Sequence, residues 1–200
     1  IYPFCKNPLN FIFSKNIKSY FTSFEKITNS LINQANNLTN VWESRTTKNG
    51  YQTLGNLFEL HAPAIVNLKK IILGVIDEYK ITYKTKPDGL ISSWPNKFYL
   101  LGWYNRLLKH GYQGSHIHPG GWLSGCFYLK MPKPLKKGEG AIYFSLHGYD
   151  YPIVNSDIPN YQYSPIEGDL ILFPSSLFHK TLPFSSSDER HVIAFDIIPE

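Results

Sequence analysis

His116 and His118 flank a single isoleucine in the stretch Ser115-His116-Ile117-His118-Pro119-Gly120-Gly121. In extended backbone, residues i and i+2 point to the same face, so the two imidazoles can converge on one point. The Pro-Gly-Gly run behind them lets the chain reverse into the next element. A His-x-His pair alone is common on surfaces and in cores, and its weight depends on what else arrives at the same place. His179 follows an apolar run and a Pro-Ser-Ser turn in DLILFPSSLFHKTLPF, and Arg190 stands eleven residues later in ERHVIAFDII. Three imidazoles on one face can hold a divalent transition metal while leaving other coordination positions open. A guanidinium nearby can grip a carboxylate in a bidentate fork. The chemistry this set could do together is that of a metal centre working with an anionic co-substrate.

The elements that must position these residues have two textures. Lys15 to Asn36 carries apolar residues at close to helical spacing (Ile17, Tyr20, Phe21, Phe24, Ile27, Leu31, Ile32), and an Asn-rich link, NQANNLTN, follows. A second helix is expected from Leu57 to Tyr83, with Leu60, Ile65, Leu68, Ile71, Ile72, Val75, Ile76 and Tyr79 on one face. From Phe98 onward the chain breaks into short runs punctuated by Gly and Pro: FYLLGWYNRLL, WLSGCFYLKM, GAIYFSLH, DLILFP, FHKTLPF and HVIAFDII. Evenly spaced short strands with turn residues between them predict a mainly β protein with N-terminal helices, built as a sandwich or jelly roll. The expected organisation is one domain over 1–200, with 1–97 as mainly helical support and 98–200 as the jelly-roll core that carries the metal site.

On these motifs, residues 98–198 resemble the 2-oxoglutarate/Fe(II) oxygenase superfamily, and in particular a branch with a similar order of signatures. These are H-x-H-P followed by L-S-G-x-Y-Y-L, then P-x-x-G-D-L-x-L-F-P-S-x-L-x-H, then E-R. Here they run from His116 to Leu129, from Pro165 to His179, and over Glu189-Arg190. The segment Gly50-Tyr51-Gln52-Thr53 is also similar to what precedes the barrel in that branch. The resemblance implies a double-stranded β-helix, a cupin-like barrel. It also implies an Fe(II)- and 2-oxoglutarate-dependent dioxygenase that consumes O2, releases succinate and CO2, and usually hydroxylates its substrate. Carried across by residue, His116 is the first iron ligand and His179 the last, and Arg190 binds the distal carboxylate of 2-oxoglutarate. Tyr128 stands where a tyrosine often donates to that carboxylate, and Asn105 where a polar side chain commonly faces the pocket.

One position departs from the superfamily pattern. The second ligand there is usually Asp or Glu, and here it is His118. Three neutral imidazoles leave the centre one charge more positive. Three readings stay open: a three-histidine site of His116, His118 and His179, a two-histidine site with His118 aside, or a carboxylate recruited from elsewhere, such as Asp169. Period-two alternation favours the first. The rival function is a cupin-like three-histidine module, either a dioxygenase that needs no 2-oxoglutarate or a binding protein with an inert metal. Only the 2-oxoglutarate reading requires Arg190 to face the metal. By the same alternation Ser124 and Cys126 share the face of Tyr128, and His191 turns away from that of Arg190. Trp122, Tyr149, Tyr151 and Phe178 are expected at the rim of the pocket, where they would suit a small-molecule or peptide substrate.

Composition narrows the remaining classes. The 200 residues are 42% hydrophobic and 18% charged, a globular balance, and the 16% aromatic content suits strands. The net charge of +5 is scattered, and its densest cluster, Lys130–Lys137, is broken by prolines, so no nucleic acid is expected as partner. No apolar run approaches the roughly 18 residues of a membrane span, and no signal peptide is legible at the start, Ile1. No phosphate-cradling Gly loop and no G-x-S-x-G elbow is present. Cys5 and Cys126 allow at most one disulfide and lack zinc spacing, which makes a reducing compartment, the cytoplasm, the default. Monomer and homodimer are both compatible with the sequence.

Overall fold

The computed structural model describes residues 4–149, 151–153 and 157–200. Among these residues three α-helices and ten strands follow one another as β1 (Phe13–Asn16), α1 (Phe24–Asn36), β2 (Asn40–Trp42), β3 (Thr47–Thr53), α2 (Pro63–Tyr83), α3 (Gly89–Ser92), β4 (Phe98–Gln113), β5 (Leu123–Lys130), β6 (Ile142–Ser145), β7 (Asn160–Tyr163), β8 (Asp169–Pro174), β9 (Phe178–Thr181) and β10 (Arg190–Pro199). They form a seven-stranded sheet in the order β1-β8-β5-β10-β4-β3-β2 and a three-stranded sheet in the order β7-β6-β9. Every pairing is antiparallel. This is the jelly-roll architecture expected of the sequence.

The large sheet is buried on both faces, which is why β10 reads as a near-continuous apolar run. One face, with Tyr104, Phe127, Leu170, Ile193 and Phe195, shares a core with Leu68, Ile72, Val75, Ile76 and Tyr79 of α2 and Leu31 and Ala35 of α1. The other face builds a smaller core in which Tyr128, Ile171, Phe173 and Val192 meet Ile142 and Phe144 of the small sheet. Alternation along β10 therefore sends Ile193 and Phe195 toward the helices, and Arg190, Val192, Ala194 and Asp196 toward the small sheet.

The N-terminal third differs from its sequence reading. Residues 13–16 form a strand that pairs with β8, Asn16 opposite Asp169, and the helix starts only at Phe24, where the Ser23 hydroxyl accepts from the Lys26 N–H. Leu57–Glu59 makes a separate 3₁₀ turn, and α2 begins at Pro63, whose missing N–H suits the first helical position. The strands β2 and β3 extend the large sheet beyond β4. Among the described residues, no helix is long and apolar enough to cross a membrane.

Candidate metal and co-substrate site

The loop between β4 and β5 is laid against the end of the small sheet by backbone pairing. His116 N–H donates to the His179 carbonyl at 3.1 Å, and His179 N–H returns a bond to the His116 carbonyl at 3.0 Å. The next same-face residue is fixed in the same way, with His118 N–H donating to the Ser175 carbonyl at 2.9 Å. The turn closes when Gly121 N–H donates to the His118 carbonyl at 3.0 Å. The three imidazoles meet, with ring centroids 4.3 Å apart for His116 and His179, and 5.0 Å for each pairing with His118. One nitrogen from each lies within 4.8 Å of the others, a spacing a single ion could span.

Each ring is held by Nδ1. His116 donates to the Gly114 carbonyl at 2.7 Å, His179 to the Leu177 carbonyl at 3.0 Å, and His118 to Asp196 Oδ1 at 2.6 Å. With an oxygen acceptor at each Nδ1, the proton sits there and Nε2 carries the lone pair, the tautomer a metal ligand needs. Burial pulls the pKa of His116 down to about 4 and that of His179 well below its usual value, with the neighbouring imidazoles adding to the shift. Both rings are therefore neutral at physiological pH.

Arg190 lies on the same side of the large sheet, 2% exposed, and its guanidinium sits 5.1 Å from the Tyr128 ring centroid. The register places Tyr128 on β5 and Asn105 on β4 directly across from Val192 of β10, so all three side chains share one face. Among the described residues, seven buried side-chain atoms have no hydrogen-bond partner. Five of them are Arg190 Nε and Nη1, Tyr128 OH, and Asn105 Oδ1 and Nδ2. Each orphaned group costs on the order of 1–3 kcal/mol. Three adjacent residues bearing that cost together form a polar cradle that a carboxylate would fit, taking bonds from the guanidinium, phenol and amide. A narrow cleft lined by His116, His118, His179 and Arg190 joins the histidine cluster to the guanidinium side of this cradle. An outer cavity of about 380 Å³ shares Trp103, Gln113, His116 and His118 with the cleft.

Other expectations separate. Cys126 lines the cleft, and burial raises its thiol to about 12, so it is a neutral wall residue. Asp169, the alternative carboxylate, accepts from Asn16, Tyr163 and the Ile166 N–H and stands outside the histidine cluster. His191 turns to the opposite face, its Nδ1 2.5 Å from Tyr104 OH and its Nε2 3.2 Å from Glu189, which also grips Arg106. Tyr149 lines the outer cavity and packs on Tyr151 and Phe178. Trp122 does not join them: its indole donates to the Leu90 carbonyl and packs edge-on against Phe4. Sequence reading missed Asp196, Trp103 and Gln113. Alternation from Arg190 would have found Asp196, and from Asn105 it would have found Trp103.

Residues 102–196 match the profile of a family described as "Putative 2OG-Fe(II) oxygenase". No curated protein sequence matches the chain. Among solved structures, the chain is similar to a prolyl-4-hydroxylase of Pseudomonas putida, at TM-score 0.58 and 11% identity, covering 94% of this chain and 92% of that one. The 2-oxoglutarate complex of viral collagen prolyl hydroxylase from Paramecium Bursaria Chlorella virus-1 is similar at TM-score 0.59 and 16% identity, with 95% and 96% covered. HygX of Streptomyces hygroscopicus, with nickel, 2-oxoglutarate and hygromycin B bound, is similar at TM-score 0.57 and 13% identity, with 94% and 82% covered. At these identities the structures speak for the fold, and the family match speaks for the chemistry. By the match over residues 102–196, the segment that carries these side chains is similar to the 2-oxoglutarate/Fe(II) oxygenases.

Proposed function

We propose that His116, His118 and His179 hold Fe(II) through Nε2, that Arg190 with Tyr128 and Asn105 holds the distal carboxylate of 2-oxoglutarate, and that the enzyme hydroxylates a small-molecule or peptide substrate. Bound Fe(II) with 2-oxoglutarate and O2 supplies the oxidising chemistry. The protein's own residues do the rest. The three Nδ1 bonds present the donor nitrogens on one side, and the planar guanidinium fixes the orientation of a dicarboxylate. The apolar walls of the cleft, Val192, Ala194 and Ile142, keep water away. A substrate would reach the centre from the outer cavity, between Trp103 and Tyr149.

The observation that carries this reading is the cluster of orphaned polar atoms on Arg190, Tyr128 and Asn105. A metal-only module has no use for a buried, partly unpaired guanidinium on the histidine side of the sheet. The deciding experiment titrates 2-oxoglutarate into anaerobic Fe(II) protein and follows the metal-to-ligand charge-transfer band. Arg190→Ala should weaken binding by about ten- to a hundredfold, the worth of a charge-assisted bond. Arg190→Lys should rescue poorly, because a point charge cannot reproduce the fork. Equal affinity in wild type and Arg190→Ala would favour the cupin-like alternative. Succinate release with candidate substrates then identifies what is hydroxylated.

A further inference from the structure

Asp196 is 5% exposed and belongs to none of the motifs that mark the site. Its Oδ1 accepts from His118 Nδ1 at 2.6 Å and from Ser124 Oγ at 2.6 Å. Ser124 Oγ is in turn 2.8 Å from Ser175 Oγ, and the Ser175 carbonyl accepts the His118 N–H at 2.9 Å. Three residues from three separate parts of the chain thus fix the ring of one histidine through their side chains and its backbone through the Ser175 carbonyl. That histidine stands where the superfamily pattern has a carboxylate. Space at this corner is also tight, since a Cβ on Gly121 would lie 3.3 Å from Asp196 Cγ.

We propose that Asp196 is a positioning residue of the metal centre which, acting through His118, returns the negative charge that a carboxylate at position 118 would have supplied. The proposal rests on His118 being a metal ligand. A carboxylate accepting the Nδ1–H of a ligating imidazole fixes its tautomer and ring orientation and raises the basicity of the other nitrogen. Three neutral imidazoles bring no charge to a dication, whereas a His118–Asp196 pair brings one unit, as Asp or Glu does in the common triad. A buried carboxylate needs such a partner, and the two serines supply hydrogen bonds without cancelling its charge. His116 and His179 rest on backbone carbonyls instead. Of the three rings, only that of His118 is backed by a carboxylate.

The test is Co(II) titration, without 2-oxoglutarate, of wild type, Asp196→Asn, His118→Asp and the double variant. Thermal melts of the metal-free proteins confirm that each is folded. Asp196→Asn keeps an acceptor and removes the charge, so Co(II) affinity should fall by about ten- to a hundredfold. In the His118→Asp background the carboxylate is already a ligand, and the same change should alter affinity by less than about threefold. If His118→Asp does not fold, His118→Ala serves as the background, because without the ring Asp196 has no route to the metal. An equal loss in both backgrounds overturns the proposal, since Asp196 would then act on the fold alone. Wild-type affinity in Asp196→Asn also overturns it. A wild type that binds no Co(II) would instead overturn the metal-centre reading on which it rests.

Discussion

His116 and His179 exchange both main-chain hydrogen bonds, at 3.1 and 3.0 Å, so the backbone and not a metal brings their rings together. A substitution at either ring therefore removes an imidazole without removing the bridge. His179→Ala is expected to retain the secondary structure seen by circular dichroism while its metal content falls to background. Unchanged metal stoichiometry would take His179 out of the site.

Arg190 is costly in the ligand-free protein. Its unpaired buried donors cost about 1–3 kcal/mol each, more than the roughly 0.5–2 kcal/mol gained from lying over Tyr128. Arg190→Met should therefore stabilise the protein by about 1 kcal/mol, or roughly 2–4 °C in Tm, while weakening 2-oxoglutarate binding by about the same ten- to a hundredfold as Arg190→Ala. A lower Tm for the variant without ligand would show that the guanidinium is already satisfied.

Tyr128→Phe should leave metal content unchanged and weaken 2-oxoglutarate binding by about tenfold, the loss of one bond to a charged group. Its phenol, held above its usual pKa by burial, keeps its proton and can donate at any physiological pH. Titration of the anaerobic Fe(II) protein measures this directly. An unchanged affinity would reduce Tyr128 to a core residue.

Stability of the metal-free protein should fall on acidification. Burial lowers the pKa of His116 and of His191 to about 4 in the folded state, below the usual value near 6.5. Between those values the unfolded chain binds more protons, so stability declines as pH drops from about 6.5 toward 4 and is level above 7. Urea midpoints from pH 8 to 4 measure the slope, and His116→Asn should make it shallower. A flat profile would mean that these rings are hydrated.

Gly125 of β5 sits opposite Phe195, and a Cβ there would lie 2.3 Å from the phenyl ring. Gly125→Ala should cost about 1–3 kcal/mol by overpacking, read as a lower urea midpoint with unchanged slope. Phe195 faces the helices, so metal content should hold. Loss of metal at full stability would contradict the separation of the two faces.

Much of the site was legible because it is built on period-two strands. Once His116, His118 and His179 are placed, alternation puts Tyr128, Cys126 and Ser124 on one face and excludes His191. Asp196 escaped because it is embedded in AFDII, where the apolar neighbours face the helices and hide a polar residue facing the other way. The strands β1, β3 and β7 escaped for another reason. Their sequences, FSKN, TKNGYQT and NYQY, carry little apolar alternation, and pairing with β8, β4 and β6 makes them strands. Tertiary context decides such segments. The helix of Lys15–Asn36 was read too long because Ile17 and Phe21 are core residues at helical spacing yet lie in irregular chain between β1 and α1.

The position of β10 between β4 and β5 constrains how this sequence can change over time. Arg190 and Asp196 point the same way only because they stand an even number of positions apart, and the pairing holds that register, with β4 along the whole strand and with β5 from Val192 to Ile197. Inserting or deleting one residue between them would turn one of the two toward the helices, exchanging a guanidinium beside the histidines or a support for His118 for a charge in an apolar core. Point substitutions in this strand can be sampled one at a time, but length changes cannot. Variation in substrate choice among descendants of this sequence is therefore expected in the loops that line the outer cavity, while β10 keeps its length.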